Sequence, residues 1–262
     1  MPIQIRRLGW QPDLPDHRDL TYAAPIKIMA ALPKSADLRR HCPPVYDQGQ
    51  IGSCTANAIA GAIQFDQRKQ KMKDFVPSRL FIYYNERAIE HSILIDSGAQ
   101  IRDGIKSVAK QGVCPETLWP YKDDHPANEG DPCPACTYAK KPSAAAFTEA
   151  RKHKVKSYLR IPRNLSLMRG CLASGFPFVF GFTCYSNLPF DSKTGVIPMP
   201  GPGDSIIGGH AVLAVGYDDK KQAFIFRNSW SRAWGAKGYG FMPYPYLLDS
   251  NLSDDFWSIR LV

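Results

Sequence analysis

The 262-residue sequence predicts an α+β protein of two lobes, helical in its first half and sheet-like in its second, with a cleft between them. Three observations carry that prediction. Apolar residues recur at helical spacing before residue 112 and give way to strand-like runs after residue 154. A stretch dense in Pro, Asp and Lys, residues 115–142, separates the two patterns and reads as a connector. A glycine-rich polar loop then stands out, because it delivers a cysteine, Cys54, to the first turn of an apolar, Ala-rich helix.

In chain order, residues 1–31 read as an extended N-terminal arm, carrying Pro12-Asp13-Leu14-Pro15-Asp16-His17-Arg18-Asp19-Leu20. The helical lobe is expected over 32–145. Its first helix runs from Cys54 to about Arg68, with Ala58, Ile59, Ala62, Ile63 and Phe65 on one face. A second runs from Pro77, near its first position, to about His91, with Leu80, Phe81, Tyr84 and Ala88 at helical spacing. A third, Ile101 to Gln111, stops at Gly112. The β-rich lobe is expected over 146–262. Val155, Leu159 and Ile161 alternate with Lys154, Lys156 and Arg160, which predicts a half-buried strand with a solvated basic face. A short helix near 164–174 follows, then strands at 176–182, 211–217, 223–227, 238–242 and 256–261. Asp218-Asp219-Lys220-Lys221 reads as a hairpin turn, and there is no internal repeat.

Composition is that of an ordinary globular protein, 44% apolar and 22% charged. The net charge of +9 suits an acidic partner, an anionic membrane or nucleic acid. Without a helix-turn-helix or an aromatic-interleaved basic motif, no nucleic-acid partner is expected. The N-terminus, Met1 to Pro12, lacks the apolar core of a signal peptide, and no run of 18 apolar residues exists to span a membrane. Seven scattered cysteines fit a reducing compartment, cytoplasmic by default, with leaderless export as the alternative. Cys133-Pro134-Ala135-Cys136 leaves three states open: free thiols, which weigh most, a local disulfide, or a metal site completed by Cys114 and His125. Neither a metal nor a cofactor is expected to take part in the chemistry.

The chemistry is expected where three segments converge. A thiol on the first turn of a helix feels unpaired N–H groups and the positive end of the macrodipole, which favour thiolate. Gly49 and Gly52 let backbone approach a ligand at Tyr46-Asp47-Gln48-Gly49-Gln50-Ile51-Gly52-Ser53-Cys54. Alone, Cys54 reads equally well as a structural cysteine opening a core helix. The second half supplies a base and its orienter. Gly208-Gly209-His210 opens one strand, and Arg227-Asn228-Ser229-Trp230 ends the next strand of the same hairpin, which places Asn228 beside His210 and lets Trp230 shield them.

In this order the residues resemble the papain-like cysteine peptidases over roughly 32–262. The matching features are Gln48 six residues before Cys54, Gly52-Ser53-Cys54, Gly209-His210-Ala211-Val212, Asn228-Ser229-Trp230, Trp234-Gly235 and Gly238-Tyr239-Gly240. Softer matches are Ala36-Asp37-Leu38-Arg39 and Gly195-Val196-Ile197. The resemblance implies a two-lobe fold with a helical left lobe and a β-barrel-like right lobe. It implies Cys54 as a thiolate nucleophile paired with protonated His210, Asn228 holding the imidazole, and Gln48 with the Cys54 N–H as the oxyanion hole. Gly52, Ser53, Gly98, Gly209 and Trp230 would line the peptide or protein substrate. The same residues would also serve an amidase or acyl transferase on other substrates, or persist in a silent binding module. The sequence departs from the family at Ile51, where a disulfide cysteine is usual, at Thr55, where an aromatic is usual, and at Ser97-Gly98, which keeps one glycine of a pair. The arm is shorter than the family's propeptides and is expected to lie near the cleft.

Overall fold

The computed structural model describes residues 7–261. Residues 1–6 of the expected arm, half of the stretch Met1 to Pro12, lie outside the described residues, as does Val262. The elements run β1 (Trp10–Gln11), α1 (Ile26–Ala30), β2 (Ser35–Asp37), α2 (Cys54–Lys69), α3 (Arg79–Ile89), β3 (Ala99–Gln100), α4 (Ile101–Lys110) and α5 (Ala144–Ala150). They continue β4 (Ser157–Arg160), α6 (Leu165–Ala173), β5 (Phe178–Tyr185), β6 (Ile206–Asp218), β7 (Ala223–Arg227), β8 (Tyr239–Pro243), α7 (Tyr244–Leu248) and β9 (Ser253–Arg260). Helices come first and strands second, as the change of period predicts.

Helices α2, α3 and α4 pack on one another, and α2 lies against β6. Every residue of α2 from Cys54 to Gln67 is buried, so this helix is the axis of the molecule. Its small residues, Ala56, Ala58, Ala60, Gly61 and Ala62, let neighbours close on all sides. Seven strands form one antiparallel sheet in the order β4-β9-β5-β6-β7-β8 with β2 added on β6, and β1 and β3 make a separate two-stranded parallel sheet. The two ends of that order, β4 and β8, do not pair, so the barrel-like lobe is an open sheet.

The central strands read as continuous apolar runs because both faces of the sheet are buried. Val179, Ala211, Leu213 and Val215 point into a core shared with α2. Phe178, Phe180, Phe182, Val212 and Ala214 point into a second core with Phe224, Phe226 and Phe256. The strand period of two thus divides one strand pair between two cores.

Several expectations shift. The strand carrying His210 begins at Ile206, so Gly208, Gly209 and His210 lie within it and not at its mouth. Pro77 precedes the cap of α3, where the Ser78 side chain accepts from the Phe81 N–H, and is not a first-turn residue. Helix α5 follows the connector, and the boundary drawn at 145/146 falls inside it. The arm holds a strand and a short helix and is not wholly extended. Of the expected solvated basic face, Lys154 and Lys156 are exposed, whereas Arg160 is partly buried among Asp19, Asp254 and Asp255.

Candidate active site

The loop before α2 is held by buried polar groups. Gly52 N–H donates to both oxygens of Asp96, at 3.1 and 3.0 Å, and Tyr83 hydroxyl donates to the same carboxylate. Ser53 Oγ lies 2.8 Å from Tyr121 Oη and accepts from Asn57 Nδ2 at 3.1 Å. These bonds fix where Cys54 enters the helix. Its thiol is fully buried, with backbone N–H groups of Ala211, Gly9 and Thr55 directed at it. Ala211 follows His210, so α2 and β6 bring the two candidates together.

His210 Nε2 lies 2.8 Å from Asn228 Oδ1. That oxygen also accepts from the Ser229 N–H, which fixes the amide orientation, so Nε2 carries the proton. Nδ1 is left buried with no partner among the described residues. Trp230 stacks on the imidazole at 4.6 Å between ring centroids, and Phe182 meets it edge-on at 5.6 Å. Trp230 is buried, so it shields the His210–Asn228 bond as the sequence suggests.

Gln48 is fully buried and joins the two halves. Its backbone N–H donates to Ser229 O at 2.9 Å, and its Oε1 accepts from Ser229 Oγ at 2.6 Å. The second bond turns Gln48 Nε2 toward the cleft, where it donates to Arg7 O and Ile51 O, both at 3.0 Å. Ser229 escaped sequence reasoning. Its one signal is its place between Asn228 and Trp230.

Residues 7–10 of the arm lie against Gln48, Gly52, Gly98 and Gly209. Arg7 Nε pairs with Asp96 at 3.1 Å, and its carbonyl takes the Gln48 amide. Gly9 O accepts from Ala99 N–H at 2.8 Å, extending the parallel pairing of β1 with β3. Gly98, at φ +74°, is required here, since a Cβ would stand 2.0 Å from Gly9 O. Trp10 covers Gly209, and its Nε1 donates to Asp255 Oδ2 at 3.0 Å. Of the residues expected to line substrate, Gly52, Gly98 and Gly209 therefore contact the arm itself. Ser53 faces Tyr121, and Trp230 packs behind His210.

Electrostatics follow from this closure. Burial pushes the Cys54 thiol up to about 12, against the three backbone N–H groups that favour thiolate. Burial pulls His210 down to about 4, opposed by its bond to Asn228. Burial thus disfavours the isolated thiolate and the isolated imidazolium, each taken alone.

Among the described residues no cluster of His, Cys, Asp or Glu could hold a metal. Of the three states left open for the C-x-x-C, the structure has the disulfide, Cys133–Cys136, and not the free thiols that weighed most. Cys42, Cys54, Cys114, Cys171 and Cys184 are free and buried. No described helix is long and apolar enough to cross a membrane.

Comparison with known proteins shows the family and the fold. A family model described as papain family cysteine protease matches residues 32–245. A peptidase C1-like protein of Acanthamoeba polyphaga mimivirus is 45% identical over 227 residues, covering 82% of this chain and 69% of that one. Cathepsin K of Gallus gallus is 30% identical over 220 residues, covering 79% of this chain and 58% of its own length. Among solved structures, xylellain, a cysteine protease from Xylella fastidiosa, superposes with a TM-score of 0.91 at 48% identity, over 97% of this chain and 96% of that one. The digestive procathepsin L 3 of Tenebrio molitor shares the fold at a TM-score of 0.70 and 19% identity, over 93% of this chain and 74% of that one.

Proposed function

The chain belongs to the papain family of cysteine proteases, and from that premise we propose how its own residues divide the work of a cysteine endopeptidase. Its substrates are peptides or proteins. Cys54 is the nucleophile, His210 the base and then the acid, Asn228 the group that orients the imidazole, and Gln48 Nε2 with the Cys54 N–H the donors for the oxyanion.

One observation supports this division above the others. With Nε2 committed to Asn228, Nδ1 of His210 is a buried lone pair, without a partner among the described residues, on the strand that borders the Cys54 thiol. It takes the thiol proton as Sγ attacks the scissile carbonyl and the C–S bond forms. The developing oxyanion accepts from Gln48 Nε2, the same bond that Arg7 O now receives. The imidazolium then gives its proton to the departing amine as the C–N bond breaks, leaving a thioester. Water, deprotonated by Nδ1, attacks that thioester and releases the acid and the thiol.

The arm supports a further part of the reading. Residues 7–10 fill the groove, so they leave before a substrate enters, and nucleic acid has no part in the site. Residues 32–145 and 146–262 act as lobes of one catalytic unit, with 1–31 as the arm. The test is labelling by an epoxide inhibitor of cysteine peptidases, read by intact mass. One adduct on the wild type that is absent in Cys54→Ala supports the assignment, and an adduct that survives in Cys54→Ala overturns it.

A further inference from the structure

We propose that Tyr121 is a positioning residue of the oxyanion hole, its hydroxyl setting the spacing between the Gln48 amide and the Cys54 N–H. This rests on the reading of those two groups as the oxyanion donors.

The two donors lie six residues apart on a loop that does not space them by itself. Gly49-Gln50-Ile51-Gly52 joins them, with two glycines and neither helix nor strand. Its internal bond from the Ile51 N–H to Gln48 O is long, at 3.4 Å. Tyr121 braces the loop from outside, 73 residues away from Gln48 in the chain. Its hydroxyl donates to Gln48 O at 2.7 Å, and Ser53 Oγ, on the residue before Cys54, lies 2.8 Å from the same phenol oxygen. A carbonyl can only accept, so the phenol proton goes to Gln48 and the Ser53 hydroxyl donates to Tyr121 Oη. One oxygen is thus bonded to the residue of one donor and to the neighbour of the other.

The brace is itself anchored. Asn57 Nδ2 donates to Ser53 Oγ at 3.1 Å, and Asn57 Oδ1 accepts from Arg79 Nη1 at 3.1 Å, which fixes that amide's orientation. Glu116 holds Arg79 at two points, Nε to Oε2 at 2.9 Å and Nη2 to Oε1 at 2.8 Å. The guanidinium lies over the Tyr121 ring, 3.8 Å from its centroid, and Nη1 also donates to Asp47 O at 2.9 Å. Tyr121 is clamped on its face and at its hydroxyl, a fixed point against which Gln48 and Ser53 are set. Burial pushes the phenol up from its ordinary value, so the proton that Gln48 O accepts stays in place across the working pH range.

The test uses the full-length chain carrying Trp10→Ala, which removes the side chain that holds the arm to Asp255. There Tyr121→Phe keeps the ring beneath Arg79 and deletes only the hydroxyl. It should lower kcat on a fluorogenic peptide about tenfold, with KM and both limbs of the pH profile unchanged. Iodoacetamide alkylates Cys54 at a tetrahedral carbon and builds no oxyanion, so its rate should not change. In Gln48→Ala a spacing between two donors no longer exists, and there Tyr121→Phe should cost about threefold or less. Thermal melting checks that each variant folds.

Acylation of Cys54 by a p-nitrophenyl ester needs the oxyanion hole and no peptide substrate, so it separates the readings. Acylation that falls in Tyr121→Phe, with no peptide turned over by Trp10→Ala, would overturn the endopeptidase reading and support the brace. A Gln48→Ala that acylates as fast as its parent would overturn the oxyanion assignment and the brace with it. If Gln48→Ala is slow, then unchanged acylation in Tyr121→Phe, equal losses in alkylation and acylation, or a loss that persists in full in Gln48→Ala would overturn the brace alone.

Discussion

At the scale of single residues, Cys54, Gln48, His210 and Asn228, the residues proposed for the chemistry, could be nominated from the sequence because local features mark them: a glycine-rich loop before a helix, and glycines or an Asn-Ser-Trp run on neighbouring strands. What was not legible is how Gln48 is aimed. Its amide works as a donor only if Oε1 is held elsewhere, and Ser229 Oγ holds it at 2.6 Å across 181 residues of sequence. No periodicity reports a bond of that span. Removing the donor itself, Gln48→Ala, should lower kcat about 10²- to 10³-fold with little change in KM. Ser229→Ala should lower kcat by about tenfold, since the amide remains but loses the bond that orients it, worth about 1 kcal/mol. Steady-state kinetics on one fluorogenic peptide, in the Trp10→Ala background, compares the two. Equal losses would mean that Ser229 does more than orient Gln48.

Elements show a different boundary of legibility. Helix α2 was readable to within a residue because Ala58, Ile59, Ala62, Ile63 and Phe65 recur at helical spacing and its start is marked by glycine and serine. The arm was readable only as Pro-rich chain, because its order comes from partners far away in sequence. Trp10 is fixed by Asp255, Gly9 by Ala99, Arg7 by Asp96. The arm's hold should depend on pH through Asp255, whose carboxyl burial raises to about 7, with Asp13 and Asp254 adding to the rise and the Asp13 N–H and Arg160 opposing it. Once residues 7–10 depart, that carboxyl regains water and its pKa falls, while Asp13 and Asp254 stay beside it and keep it above the usual carboxylate value. The closed state therefore binds the extra proton between those two values. Its advantage is present at low pH and is lost as pH rises toward 7, so neutral solution should favour the open arm. Fluorine NMR of protein made with 5-fluorotryptophan, with Trp10→Phe assigning the signal, should show the free Trp10 population growing from pH 5 to pH 8. A population that grows toward acid would sink the linkage.

Over the whole molecule, the arm is bound in two unequal parts, and their difference predicts how the cleft opens. The part beyond residue 12 is tied into both lobes. Asp13 accepts from the Arg102 N–H at 3.0 Å and from Trp257 Nε1 at 2.9 Å, joining α4 to β9. Arg102 pairs with Asp19 at 2.9 Å, both nearly buried, and also donates to Leu14 O. Backbone bonds of 2.8 Å run both ways between this part and β4, Tyr22 N–H to Arg160 O and Arg160 N–H to Leu20 O. These ties are part of what holds one lobe against the other. Residues 7–10, by contrast, are held against the residues proposed to receive the substrate. The segment Gln11–Pro12 between them is the natural hinge, since Pro12 has no N–H to anchor. Hydrogen exchange read by mass spectrometry should then find residues 13–22 protected in Trp10→Ala, with exchange rising only around residues 7–11 and at Ala99, whose N–H now serves Gly9. Arg102→Leu makes the converse case. It strands Asp19 without its nearest partner, a loss of about 3 kcal/mol or more for a buried pair, and should lower the melting temperature of the whole molecule. If Trp10→Ala instead released residues 13–22 together with 7–11, the arm would behave as a single unit, and opening the cleft would mean loosening the two lobes as well.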